Sequence, residues 1–491
     1  MAEFEANTPV LVGVASVQQK IDDHECALEP VALMEQALRD AAVDAGCMQL
    51  LSLADEILVP KSLWSYTDPG RLLADALGAH SAKTLLAEFG ILQQSLLTRA
   101  CQRIQDSDAK VMLVAGGEAR FRALCASRAG GEAFETPQNN IQPDITLRPE
   151  AEMWSSVESD SGLGMPVGYY AILDSALRHK QGLSVRQHRD QMANMYARLS
   201  VLAADNPDAW SDQGLSADYI RDHSVANRML AFPYTKLHNS QWNVDQAAGL
   251  ILCSAGLAET LGIERSKWVF PQAFTESNFM SVVSSRKDLG ASPGFRITGQ
   301  AAMELADVNF NDIRLCELYS CFPYAVRVQL EEFGLDVQRD VSVTGGMTFG
   351  GGPLNNFMFQ STVKMAQLLR KSPAEVGLVT TVSGMLTKQA CALWSASPGS
   401  KGWSCVDVTD QVRAKTEVCE LVANYRGKGS VAGYTVLYRG AEPWRAVAVF
   451  DLPAGQRTVA FSEDSAMMAD MMARECCGMS YSLAEGCFQP S

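Results

Sequence analysis

Apolar residues follow two alternating rhythms along the chain. Val10-Leu11-Val12-Gly13-Val14-Ala15 is a continuous apolar run, as carried by a strand buried on both faces, and it predicts a parallel strand. Over 30–46 the spacing of Val31, Leu33, Met34, Ala37, Leu38, Ala41 and Ala42 predicts a helix, with Gly46 as its stop. Ile57-Leu58-Val59 reads as a second strand. A helix over 95–104 carries Leu96, Leu97, Ala100, Cys101 and Ile104 on one face, and a third strand over 111–115 runs into Gly116-Gly117. Strands alternating with helices predict a parallel α/β sheet.

The same order returns later. Strands are predicted at 268–270, 313–318 and 376–381, with helices at about 300–305 and 322–333, then a glycine-rich loop and a helix ending at Leu369. Val10 and Val269 lie 259 residues apart and Val111 and Val376 lie 265 apart, which reads as one α/β unit present twice. After about residue 404 the texture changes to β-rich runs separated by turn residues such as Arg426-Gly427-Lys428-Gly429 and Pro453-Ala454-Gly455, predicting a small antiparallel sheet or barrel. Met467, Met468, Met471 and Met472 on the helix predicted over 463–476 read as core packing. The expected organisation is a first half at 1–118 plus about 246–265, an insertion at 119–245, a second half at 266–403 and an added β-rich domain at 404–491.

Composition narrows the classes. Forty-one Lys and Arg against 56 Asp and Glu give a formal charge of −15, unlike a chain whose main partner is nucleic acid or an anionic membrane. The first residues lack a basic region and a long apolar run, and no stretch approaches a membrane span, so the cytoplasm is the expected location. Thirteen cysteines show neither CxxC nor mixed Cys/His spacing, so no metal site is expected. Six histidines are present and none follows His238. His179, His188, His223 and His238 have no metal spacing and are expected at the surface or as caps.

Several stretches share an order. They are Val111 to Gly117, Ala204-Asp205-Asn206-Pro207-Asp208-Ala209-Trp210, Phe232-Pro233-Tyr234-Thr235-Lys236, Asn243-Val244-Asp245-Gln246-Ala247-Ala248-Gly249, Tyr319-Ser320-Cys321-Phe322-Pro323 and Thr344-Gly345-Gly346-Met347-Thr348-Phe349-Gly350-Gly351-Gly352-Pro353-Leu354. Together they resemble the thiolase superfamily, in its sterol-carrier-protein thiolase branch, and most resemble the type 1 thiolase-like proteins with an additional C-terminal domain. The resemblance implies a duplicated, five-layered αβαβα fold, here followed by a β-rich domain like an oligonucleotide/oligosaccharide-binding barrel. It also implies CoA-thioester substrates and acetyl-CoA acetyltransferase-like chemistry, with no tightly bound cofactor.

The positions that carry thiolase chemistry in that family read differently here. The nucleophilic cysteine position falls at about Gly90. The histidine of the family's Gly-His-Pro falls at Gly352, the Asn or His of the oxyanion loop at Tyr319, and the second cysteine at Thr381 in Thr381-Val382-Ser383-Gly384. Cys101 lies further along a helix, on its apolar face, and reads as core. The resemblance therefore implies the thiolase fold without cysteine-based thiolase catalysis.

Two readings follow. In one, Tyr319 assists C–C cleavage of an acyl-CoA of the retro-aldol type, as the similar loop of steroid side-chain aldolases implies. In the other, the chain is a non-catalytic acyl-CoA-binding or scaffold protein of lipid metabolism. Candidate ligand contacts are Gly345, Gly346, Gly350, Gly351 and Gly352 ahead of a helix expected near Asn355, together with Ser383, Gly384 and Lys236. The same glycines also fit a tight loop that binds nothing. Arg178 and Arg186 read as exposed salt-bridging residues. The expected partner is CoA or an acyl-CoA, with neither nucleic acid nor membrane insertion, in a monomer or a homodimer.

Overall fold

The computed structural model describes residues 4–139, 141–399 and 401–490. The first apolar run forms the strand Pro9–Gln19, and the helix Pro30–Asp44 follows, opening on a proline where no N–H is needed. One sheet orders its strands Pro9–Gln19, Asp245–Ser254, Val111–Ala119, Glu56–Pro60, Lys83–Ala87, Ile145–Leu147. A second orders them Leu315–Glu317, Val376–Ser383, Lys388–Ser395, Phe270–Ser277, Ser404–Asp407. From Pro9–Gln19 inward the pairings run antiparallel, antiparallel, parallel. From Phe270–Ser277 inward they run the same way. The two halves are copies in topology.

This pattern corrects the parallel strand expected at 10–15. Asp245–Ser254 inserts between Pro9–Gln19 and Val111–Ala119 and runs antiparallel to both. The apolar run is the same in either case, because helices cover both faces of the sheet and Val10 to Val14 are all buried. The strand expected to stop at Ala115 continues through Gly116-Gly117 to Ala119.

Five layers result. The helices Gln93–Gln105 and Phe357–Lys371 lie between the sheets, where Leu96, Cys101, Ile104, Phe359 and Val363 meet Val114 and Leu250 of one sheet and Val379 and Trp394 of the other. Pro30–Asp44 and Pro69–Leu77 cover the outer face of the first sheet. Pro293–Ala306 packs on the second, with Pro323–Phe333 beside it. The outer helix approaches closely at Gly249, where a Cβ would stand 2.6 Å from the Ala37 carbonyl. At Gly116 a Cβ would stand 2.7 Å from Asn356 Oδ1, so the glycine admits the central layer.

The insertion is not self-contained. Ile145–Leu147 extends the first sheet, and the helices Pro166–Lys180 and Val185–Ala204 join the core outside the second. The tail expected from 404 begins inside the second sheet, since Ser404–Asp407 pairs with Phe270–Ser277. Beyond it, Gly427–Arg439, Glu442–Asp451, Arg457–Ser462, Cys487–Pro490 and Ser480–Ala484 pair in that order, and the last pairs back with the first. The result is a closed five-strand barrel, with the helix Ser465–Ala473 between its third and fourth strands in sequence. Met467, Met468 and Met471 fill its core.

Two buried arginines dock the barrel. Arg178, expected at the surface, is fully buried: its Nε and Nη2 donate to Glu475 at 2.9 and 3.2 Å, and Nη2 donates to the Tyr434 hydroxyl at 2.7 Å. Arg457 donates to the carbonyls of Arg286 and Lys287, across from its own strand.

Candidate functional site

Gly90 lies between the strand Lys83–Ala87 and the central helix Gln93–Gln105, with φ +93°. A side chain there would stand 3.0 Å from Pro149 Cγ and 3.7 Å from Met280 Cε. Gly384, with φ +61°, opens the turn between Val376–Ser383 and Lys388–Ser395. A Cβ at Gly384 would stand 2.3 Å from Met280 Sδ. The thioether of Met280 thus reaches both the Gly90 position and the turn after Thr381, and Thr387 Oγ1 lies 3.2 Å from its sulfur. Thr381 itself is buried in the strand, its hydroxyl unpartnered, while Ser383 is half-buried opposite Lys388.

Tyr319 follows the short strand Leu315–Glu317. Its N–H donates to Thr380 Oγ1 at 2.8 Å, its carbonyl accepts from Gln329 Nε2 at 3.0 Å, and its ring meets Phe357 edge-on. The hydroxyl is buried, which together with the neighbouring Cys321 pushes its pKa up, while a hydrogen bond from the Gln93 side chain acts against the shift. Gln93 also accepts from the Met358 N–H at 2.9 Å, so one amide ties Tyr319 to the first turns of both central helices. A tyrosine in this state holds its proton and would act as a donor before it acted as a base.

The glycine loop is packed against its surroundings. The N–H groups of Gly345 and Gly346 donate to Ser342 Oγ at 2.9 and 3.0 Å. Those of Gly350 and Gly352 donate to the carbonyls of Gly346 and Gln241. Ser342 in turn donates to Glu317, whose carboxylate also accepts from the N–H groups of Val343 and Thr344. Burial still pushes Glu317 up to about 7. The expectation of free N–H groups facing a ligand therefore does not hold at these four glycines. What requires glycine is space and φ. At Gly351, with φ +104°, a Cβ would stand 2.0 Å from Gln246 Oε1; at Gly352 it would stand 1.9 Å from Ser240 Oγ. Ser240 occupies the room a histidine side chain would need. The central helix starts at Phe357, two residues beyond Asn355, after a single turn over Leu354–Asn356.

Lys236 is exposed in the turn Lys236–His238. His188 and His238, expected at the surface or as caps, are both buried, and His238 does cap its turn, its Nδ1 accepting from the Thr235 N–H at 3.3 Å. His188 Nε2 stands 3.1 Å from Asp174, and His238 Nδ1 stands 2.9 Å from Thr235 Oγ1. Burial pushes the thiols of Cys321 and Cys391 up to about 12 and that of Cys101 well above the usual range, so none of the three is a thiolate at neutral pH. Among the described residues no group of His, Cys, Asp and Glu is arranged to hold a metal ion. None of the described helices is long and apolar enough to cross a membrane.

Sequence reasoning missed Gln93 and Met280. Gln93 had a signal, a polar residue just ahead of the helix read over 95–104. Met280, in Ser277-Asn278-Phe279-Met280, had none.

Two layers of paired helices outside, one layer between, and a doubled mixed sheet define the thiolase fold. No protein-family model and no curated protein matches the sequence, but solved structures do. A monomeric SCP2-thiolase like protein type 1 from Mycobacterium smegmatis matches with a TM-score of 0.82 and 23% identity over 99% of both chains, barrel included. The Ltp2-ChsH2(DUF35) aldolase matches at 0.60 and 16%, covering 79% of this chain and 98% of its own. The acetyl-CoA acetyltransferase from Syntrophomonas wolfei matches at 0.57 and 15%, covering 80% of this chain and 100% of its own. The chain has the thiolase fold, in the form seen in the SCP2-thiolase-like protein.

Proposed function

We propose that this protein binds CoA or acyl-CoA thioesters and does not carry out cysteine-based thiolase chemistry. The observation that carries the second clause is Met280, packed against Gly90, where the resemblance would put the nucleophilic cysteine, and against Gly384 in the turn after Thr381, where it would put the second. The thiols of Cys101, Cys321 and Cys391 are protonated and buried. The first clause rests on the shared fold with an acetyl-CoA acetyltransferase, an analogy of fold and not of site. We read the barrel as an oligonucleotide/oligosaccharide-binding-like domain, on its closed order and its helix between strands three and four. We read the protein as a cytoplasmic monomer of lipid metabolism.

Turnover without cysteine is the second reading. Tyr319, hydrogen-bonded by Gln93, would donate a proton during retro-aldol cleavage of an acyl-CoA. The two readings separate in one experiment. Calorimetric titration with CoA and acetyl-CoA is expected to show saturable binding to the wild type, retained in Tyr319→Phe. If acyl-CoA cleavage is found, the same substitution is expected to lower it about a hundredfold or more, as loss of a general acid does. Absence of binding to either thioester or CoA would overturn the proposal.

A further inference from the structure

A cavity of about 340 Å³ lies where the second half, the insertion and the segment before the barrel meet. One wall is the turn after Val376–Ser383. There Gly384, Met385 and Leu386 all have positive φ, at +61°, +52° and +62°. Two consecutive non-glycine residues in the left-handed region are costly, and such strain gathers at functional sites. Arg286 Nη2 donates to the Met385 carbonyl at 2.6 Å and steadies that turn.

Arg286 is 6% exposed and lines the cavity, and its Nε has no partner. The other cations of the wall are matched: Lys180 with Asp288, Lys287 with Asp451 and Arg296 with Glu332, at 3.8, 3.7 and 3.2 Å, while Lys415 lies at the exposed rim. Among the described residues Arg286 has no carboxylate within ion-pairing distance. Glu158, whose charge acts on it, is taken up by the N–H and hydroxyl of Ser284 and the N–H of Ser155. A buried guanidinium without a counter-charge is costly unless an anion completes it.

Two further unpartnered atoms belong to the same lining, Ser281 Oγ and Gln389 Oε1. The fourteen-residue helix Pro293–Ala306 also begins here. Its N-cap, Ser292, makes no side-chain capping bond; its hydroxyl accepts from Gln389 Nε2 at 3.3 Å and its N–H donates to Glu332 at 2.6 Å. Gly294 admits that amide: a Cβ would stand 1.9 Å from Gln389 Oε1. A buried cation, a hydroxyl donor and a helix N-terminus without a side-chain cap, where the Gly294 N–H follows Pro293, thus share one chamber, and each favours negative charge.

We propose that this chamber binds a small organic anion. Its carboxylate or phosphate group pairs with Arg286 and the start of helix Pro293–Ala306, Ser281 donates to it, and Gln389 Oε1 accepts from a hydroxyl or N–H of the ligand. The volume suits a ligand well below the size of a whole CoA molecule. The inference does not depend on the CoA reading, which can fail while this one holds.

Calorimetric titration of the full chain with inorganic phosphate and, separately, with malate tests it. Saturable binding of either is expected, and which one binds assigns the anion as phosphate or carboxylate. Arg286→Gln is expected to weaken that binding about tenfold or more. Ser281→Glu leaves Arg286 in place and supplies an internal carboxylate, so it is expected to abolish binding, and it keeps the test decisive if Arg286→Gln does not fold. Failure of both anions to bind the wild type, or undiminished binding to a folded variant, would overturn the proposal.

Discussion

Asp174→Ala is expected to cost the folded state about 3–5 kcal/mol, the range for removing one partner of a buried ion pair. Asp174 lies in the helix Pro166–Lys180 and is fully buried. Its carboxylate accepts from the Arg327 guanidinium and from the Tyr234 hydroxyl at 2.6 Å, and His188 Nε2 stands 3.1 Å away. Burial alone would raise its pKa, yet Arg327 and His188 hold it well below the usual carboxylate range. Removing it strands the Arg327 charge, 7% exposed, between the insertion and the second half. Chemical denaturation followed by fluorescence measures the loss. Asp174→Asn, which keeps acceptors for Tyr234 and Arg327, is expected to fall between the two. An alanine variant within 1 kcal/mol of the wild type, well short of the about 3 kcal/mol expected, would show that the pair does not hold the helix in place.

Arg178→Ala is expected to act on the barrel. It removes the bidentate bond to Glu475 and the donor to Tyr434, and leaves Glu475 with the N–H groups of Cys476 and Cys477. Because Glu475 keeps those partners and some solvent, the expected cost is about 3 kcal/mol, the low end for a broken buried pair. Hydrogen exchange should report it locally. Amides of Gly427–Arg439 are expected to lose protection while those of Asp245–Ser254 keep theirs. Equal loss in both would mean that barrel and core unfold as one unit.

The order of elements was legible because apolar runs and helical spacing survive any strand direction. For the same reason the direction of Pro9–Gln19 was not legible: a strand covered on both faces looks alike whether its neighbour runs parallel or antiparallel. Lys83–Ala87 and Lys388–Ser395 went unread, and both are strands of 5 to 8 residues that open on two polar residues. Arg178 and His188 were misread because each finds its polar partner on another element, 297 residues away for Arg178 and Glu475. At the candidate site, Gly90, Tyr319 and Gly352 were placed by family resemblance. What fills the space beside them, Met280 and Ser240, comes from segments with no motif of their own.

The central claim is a thiolase fold without thiolase cysteine chemistry. Its most direct test is the thiolysis of acetoacetyl-CoA by CoA, run beside a binding titration of the same thioester. The prediction is saturable binding of acetoacetyl-CoA and no formation of acetyl-CoA above the uncatalysed rate. Thiolysis that iodoacetamide abolishes would contradict it, because a reactive cysteine would then be doing the work that the packing of Met280 against Gly90 and Gly384 denies it.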